Sequence, residues 1–130
     1  MITQPSIWVA DDEKSIRWVL DKALSKEGMR VTCFESAEDL LENFGRETPD
    51  VIISDIRMHG MDGLALLAEI RLSHPDLPVI IMTAHSDLDS AVSSIQGGAF
   101  EYMPEPFEVG DAVSVVHRGR DTERQLTTEQ

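Results

Sequence analysis

Three apolar runs in this chain end on short polar side chains. Ile7-Trp8-Val9-Ala10 leads into Asp11-Asp12, Val51-Ile52-Ile53-Ser54 into Asp55, and Val79-Ile80-Ile81-Met82 into Thr83. Brought together, three carboxylates repel one another, and leaving them ionised without a partner is unfavourable. A divalent cation resolves the repulsion. Magnesium takes carboxylate and carbonyl oxygens while keeping several waters, and it can bridge an incoming phosphoryl group. Asp55 would then be a carboxylate nucleophile that forms an acyl phosphate. Thr83, across the pocket, could donate its hydroxyl to a phosphoryl oxygen. Any one of these acids alone reads as a helix cap or a solvated side chain, and Thr83 alone as an ordinary strand end. Three acids at strand ends in register point to a site.

The elements that must position them are legible from apolar spacing. Short, near-continuous apolar runs read as strands buried on both faces of a parallel sheet, where ligands bind beyond the carboxyl ends. Arg30–Phe34 and Ala99–Met103 read as two more strands. Ile16, Val19, Leu20, Ala23 and Leu24 share one helical face, stopped by Gly28. Ala37, Leu40, Leu41 and Phe44 follow a Ser36 cap and end near Gly45. Leu64, Leu67, Ala68 and Arg71 outline a third helix. Leu88, Ala91, Val92 and Ile95 form a fourth, capped by Ser86, and Val109, Ala112, Val113 and Val116 a fifth. Strict strand–helix alternation predicts an α/β doubly wound parallel sheet with helices on both faces. The apolar rhythm stops at Gly119, so residues 1–118 read as one domain and 119–130 as a polar tail or the start of a linker.

Composition excludes several classes. A formal charge of -13 argues against direct nucleic-acid contact, which needs a Lys/Arg-rich face. No apolar run approaches membrane-spanning length. The single cysteine, Cys33, cannot form an internal disulfide, so a reducing cytoplasm is expected, with Cys33 a buried structural thiol. No Gly-rich phosphate loop follows the first strand, which argues against a nucleotide-binding enzyme. His59, His74 and His117 lack metal-ligand spacing with one another. His85 reads as an exposed loop residue or a group at the pocket rim. Trp18 lies off the apolar stripe of the first helix, where it is half-exposed or meets a partner.

The stretches Val9-Ala10-Asp11-Asp12, Ser54-Asp55-Ile56-Arg57-Met58, Gly60-Met61-Asp62-Gly63, Met82-Thr83-Ala84 and Glu105-Pro106-Phe107 resemble the receiver domains of two-component response regulators. The resemblance runs from about Ile7 to Val116. The stretches Ser15–Leu20 and Leu77–Asp89 look closer still to the nitrogen-regulation activators of that family. It implies a flavodoxin-like receiver fold with five strands in the order 2-1-3-4-5. It implies that Asp55 is the phosphoacceptor, served by a sensor histidine kinase, and that Asp11, Asp12 and the backbone carbonyl of Arg57 help Asp55 to hold Mg2+. Thr83 matches the hydroxyl that turns toward the phosphoryl group, and Tyr102 the aromatic that moves with it. The fourth helix and fifth strand match the surface that switches and that can form a homodimer. Such a chain is a switch that assists its own phosphotransfer and dephosphorylation, not a multiple-turnover enzyme. Aspartate phosphatases place a second acid two residues after the nucleophile, where this chain has Arg57. The resemblance also implies ATPase and DNA-binding output domains that this chain lacks.

Two positions depart from the family pattern. His59 stands where proline is usual, a mild change in a loop. Glu105 stands where the family has a lysine that pairs with the acceptor aspartate, so local charge changes by two units. Each close unit-charge interaction is worth up to ~4 kcal/mol at the effective dielectric of a protein surface, less where solvent screens it. Magnesium affinity is therefore expected to be retained or raised, and acyl-phosphate formation or its coupling to the switch weakened. Arg57 is expected to fold toward Glu105 or the phosphoryl group. The alternative is an interaction or dimerisation module independent of phosphorylation, with Glu105 as its main support.

Overall fold

The computed structural model describes residues 4–84 and 86–129, with side chains as far as residue 121. Strands β1 (Ser6–Ala10), β2 (Arg30–Phe34), β3 (Val51–Asp55), β4 (Val79–Ala84) and β5 (Glu101–Glu105) alternate with helices α1 (Lys14–Lys26), α2 (Ala37–Glu42), α3 (Gly63–Ser73), α4 (Leu88–Gln96) and α5 (Val109–Glu129). All strand pairs are parallel, in the order β2-β1-β3-β4-β5. This is the doubly wound, flavodoxin-like arrangement expected from the sequence.

Side-chain alternation sorts the strand residues onto two faces. Trp8, Ala10, Ile52, Val79 and Ile81 pack with Ala37 and Leu40 of α2 and with Leu66, Leu67 and Ile70 of α3. Ile7, Val9, Val51, Ile53, Ile80 and Met82 pack with Leu20 and Leu24 of α1 and with Ala112, Val115 and Val116 of α5. Trp8 anchors the first layer, edge-on to Phe34 at 5.2 Å and to Phe44 at 5.3 Å between ring centroids. Both layers exclude water, which explains why the central strands read as unbroken apolar runs.

Several element ends differ from the sequence expectation. The last strand starts two residues later than Ala99 and runs through Pro104 to Glu105. An edge strand tolerates that proline because its outer side lacks a ladder partner. Helix α2 stops at Glu42, before Gly45, in a tight turn through Asn43 and Phe44. Ser36 caps it as expected, its side chain accepting from Asp39 N–H. The α4 cap is Asp87 instead of Ser86: the Asp87 carboxylate accepts from Ser90 N–H at 3.2 Å. A charged carboxylate has the advantage there, since the helix dipole favours it. The polar segment after Gly119 keeps its backbone helical to Glu129 as a continuation of α5. No described helix is long and apolar enough to cross a membrane.

Candidate functional site

Register and alternation bring the acids together. Ala10 pairs with Ser54 across β1 and β3, and Asp55 with Met82 across β3 and β4. Asp11 follows the parity of Val9, and Asp55 that of Ile53, so both side chains leave the sheet toward α1 and α5. Oxygen atoms of Asp11, Asp12 and Asp55 all lie within 4.8 Å of one another. Asp11 is buried, with 1% of its surface exposed, while Asp12 is exposed and Asp55 half-buried.

Each acid is held from its own side. Asp11 Oδ1 accepts from Glu13 N–H at 2.8 Å, and the Arg17 guanidinium donates to the Asp11 backbone carbonyl at 2.7 Å. Asp11 Oδ2 is buried and has no hydrogen-bond partner among the described residues. A buried carboxylate oxygen left alone costs free energy, and it becomes a good ligand when a cation arrives. The backbone N–H groups of Ile56 and Arg57 lower the Asp55 carboxyl from nearby, while the Ile56 N–H itself donates to the Met82 carbonyl at 3.0 Å. Ser54 Oγ donates to the Asp55 carbonyl at 2.9 Å. Behind this turn, the N–H of Gly63 donates to the Ile56 carbonyl at 2.9 Å, tying the start of α3 to the end of β3. The donor set is hard oxygen throughout and fits a hard dication.

The electrostatics match that reading. Burial pushes the Asp11 carboxyl up to about 7, with Asp55 and Glu105 adding repulsion and the Glu13 N–H opposing it. Burial also raises Asp55, against the two backbone donors and with help from Asp12 and Glu13. Glu105 is raised by burial first and then by Asp55 and Glu13. Three neighbouring carboxyls held above their usual range mean that the site favours positive charge, as proton or as metal.

The remaining predicted residues divide between two cavities. An open cavity of about 610 Å³ is lined by Asp12, Glu13, Asp55, Arg57, Ala84, Glu105 and Phe107, among others. Glu105 pairs in register with Ala84 and shares the parity of Met103, so it faces the same side as Asp55. Thr83 and Tyr102 have the opposite parity. They line a neighbouring cavity of about 200 Å³ with Asp87, Leu88 and Ala91 of α4 and its cap. Thr83 is therefore not among the residues that line the Asp55 cavity, although Ala84 borders both. Thr83 is buried, while Tyr102 is 38% exposed.

The Arg57 side chain does not fold toward Glu105. Its guanidinium pairs with Asp87 Oδ2 at 3.0 Å, at the cap of α4. This contact joins residues 30 positions apart, and apolar spacing carries no signal for it. His59 Nε2 stands 3.7 Å from Asp12 Oδ2. His85, expected as an exposed loop residue or at the pocket rim, lies outside the described residues. Trp18 is 60% exposed on α1, with Lys22 Nζ 5.3 Å over its ring. Cys33 is half-buried, its thiol toward the Arg17 carbonyl.

Comparison with known proteins agrees with this architecture. The family model of the response regulator receiver domain matches residues 7–117. The DNA-binding transcriptional regulator NtrC of Escherichia coli is 59% identical over 112 residues, covering 86% of this chain and 24% of that protein. The chain thus spans about a quarter of the length of the curated relatives it matches. The solution structure of the apo receiver domain of nitrogen regulatory protein C superposes with a TM-score of 0.84 at 54% identity, covering 92% of this chain and 97% of that domain. The BeF3-activated form of that domain, with the same coverage and identity, scores 0.79. From its sheet order to the acids at the strand ends, this chain belongs to the response regulator receiver domain family.

Proposed function

We propose that the chain is a phosphoryl-accepting switch in which Asp55 is the acceptor and a sensor histidine kinase the donor. One observation carries the reading: three carboxylates converge within 4.8 Å beside an open cavity, with Asp55 facing that cavity. An Asp55 carboxylate oxygen attacks phosphorus, the bond from phosphorus to the donor atom breaks, and an acyl phosphate forms. Asp11, Asp12, Asp55 and the Arg57 carbonyl would hold a magnesium ion, which when bound would supply charge neutralisation for that transfer. The residues of the chain do the rest. The N–H groups of Ile56 and Arg57 favour the charged form of the nucleophile. Thr83 would have to turn its hydroxyl from the cavity on the α4 side toward the added phosphoryl oxygens, and Tyr102 shares the cavity that such a turn would alter.

The switching surface in this proposal is α4 with β5, where Leu88, Val92, Ile95 and Tyr102 are exposed. It would serve contacts with output domains or with a second copy. The similarity to NtrC supports a cytoplasmic role in transcriptional control of nitrogen metabolism, with residues 1–118 as the switch and the helical continuation from Gly119 leading toward ATPase and DNA-binding domains. The chain assists its own phosphotransfer and dephosphorylation without acting as a multiple-turnover enzyme. Glu105, facing Asp55, favours a second reading, an interaction or dimerisation module independent of phosphorylation.

Labelled acetyl phosphate with magnesium separates the two. Acetate leaves as the phosphoryl group joins Asp55. Acid-stable, base-labile label should appear on the wild type, and Asp55→Asn should lose at least about tenfold of it. Label that persists in the variant moves the acceptor elsewhere, and no label on either protein favours the interaction module.

A further inference from the structure

Arg57 bridges two parts of the molecule that the acceptor reading otherwise leaves unconnected. It follows Asp55 by two residues and lines the same cavity. Its guanidinium reaches the other way, to Asp87 Oδ2 at 3.0 Å. Asp87 divides its carboxylate between two tasks: Oδ1 accepts from Ser90 N–H to cap α4, and Oδ2 accepts from Arg57. The Asp87 backbone carbonyl accepts from Ala91 N–H at 3.2 Å, the first helical hydrogen bond of α4. Among the described residues, this side chain ties the site turn to the α4 start.

We propose that the Arg57–Asp87 pair is a latch that phosphorylation of Asp55 opens, the guanidinium leaving the α4 cap for the phosphoryl oxygens. Among the described residues lining the Asp55 cavity, Arg57 is the one cation, while Asp12, Glu13 and Glu105 are acids. A phosphoryl dianion formed there has one mobile positive partner within reach. The existing pair is easily given up, because the Arg57 side chain is 79% exposed and solvent screens it. A planar guanidinium on phosphate oxygens makes two parallel, charge-assisted bonds, the stronger arrangement. Losing the tie frees the first turn of α4. Asp87 and Leu88 border the cavity shared by Thr83 and Tyr102, so a shift of that turn opens space for both.

The latch rests on Asp55 being the acceptor, and the test distinguishes failure of one from failure of the other. Amide hydrogen exchange at Ser90 and Ala91 reads the α4 start directly. Without phosphodonor, Arg57→Ala and Asp87→Asn should each speed exchange there by about two- to fivefold, the range of an exposed pair. Arg57→Ala should add nothing in the Asp87→Asn background, and Arg57→Lys should restore part of the protection. With acetyl phosphate and magnesium, wild-type exchange should rise to the rate of Arg57→Ala, while Arg57→Ala itself changes little. Stoichiometric label on Asp55 with unchanged wild-type exchange at Ser90 and Ala91 overturns the latch alone. Absence of label overturns the acceptor reading and the latch with it. Additive effects of the two substitutions also overturn the latch.

Discussion

Replacing Glu105 with lysine should raise the yield of acyl phosphate from acetyl phosphate by about tenfold at saturating magnesium, while weakening the magnesium that supports it. The two effects share one cause. Glu105 faces the same side of the sheet as Asp55, and its charge contributes to the raised carboxyl of Asp11. Reversing that charge removes a repulsion from the incoming phosphoryl dianion and adds an attraction. Each close interaction is worth up to ~4 kcal/mol at an effective dielectric of about 20. Glu105 is partly open to solvent, so a fraction of that remains, and about 1.4 kcal/mol corresponds to tenfold. The dication feels the same change with opposite sign and should bind several-fold more weakly. Glu105→Gln, which removes one charge and adds none, should fall between the two on both measures. Equal label and equal magnesium affinity in all three proteins would show that Glu105 swings to solvent and leaves the site untouched.

Gly63→Ala should damage both the fold and the site. A Cβ on Gly63 would lie 2.4 Å from the Asp55 carbonyl oxygen and 2.8 Å from the Ile56 Cα. These are backbone atoms of a buried strand end, which cannot rotate away as a flexible side chain can. Either α3 retreats or the Asp55 turn bends. Overpacking of this kind costs about 1–3 kcal/mol. For a domain of this size that lowers Tm by roughly 5–12 °C. The displaced Asp55 should also weaken dication binding, an effect that loss of stability alone does not produce. Gly110→Ala is the control, since nothing lies within 4 Å of a Cβ built there and the position is helical. It should be neutral or stabilising by about 0.5–1 kcal/mol. Thermal melts of Gly63→Ala that match those of Gly110→Ala would mean that the α3 start yields without cost.

The central strands were readable because burial on both faces leaves no polar alternation to confuse them, and the acids at their ends stood out against those apolar runs. Parity then carries the site further than spacing alone could. Asp11, Asp55 and Glu105 all leave the sheet on one side, whereas Thr83 and Tyr102 leave on the other, toward α4. Spacing alone puts Thr83 across a single pocket, because one strand end looks like another until register is known. The β5 ends were missed for a similar reason: Pro104 reads as a breaker unless the strand is known to be an edge. The capping role of Asp87 was misassigned to Ser86, since both are good cap residues and only geometry chooses between them. The Arg57–Asp87 contact was illegible, as it joins side chains 30 residues apart. The helix beyond Gly119 lacks an apolar stripe, and its continuation is a matter of backbone propensity.

Manganese titration, followed by the electron paramagnetic signal of the free ion, tests most directly whether Asp11, Asp12 and Asp55 hold one dication. A single saturable site per chain is expected, displaced by magnesium and tighter at pH 8 than at pH 6, because Asp11 must shed a proton near pH 7 to ligate. Asp11→Asn and Asp55→Asn should each weaken it by about tenfold or more, whereas Glu69→Gln, an exposed acid on α3, should leave it alone. Binding that does not saturate, or that is equally tight in Asp11→Asn and wild type, would contradict the assignment of this cluster as the metal-holding centre of the switch.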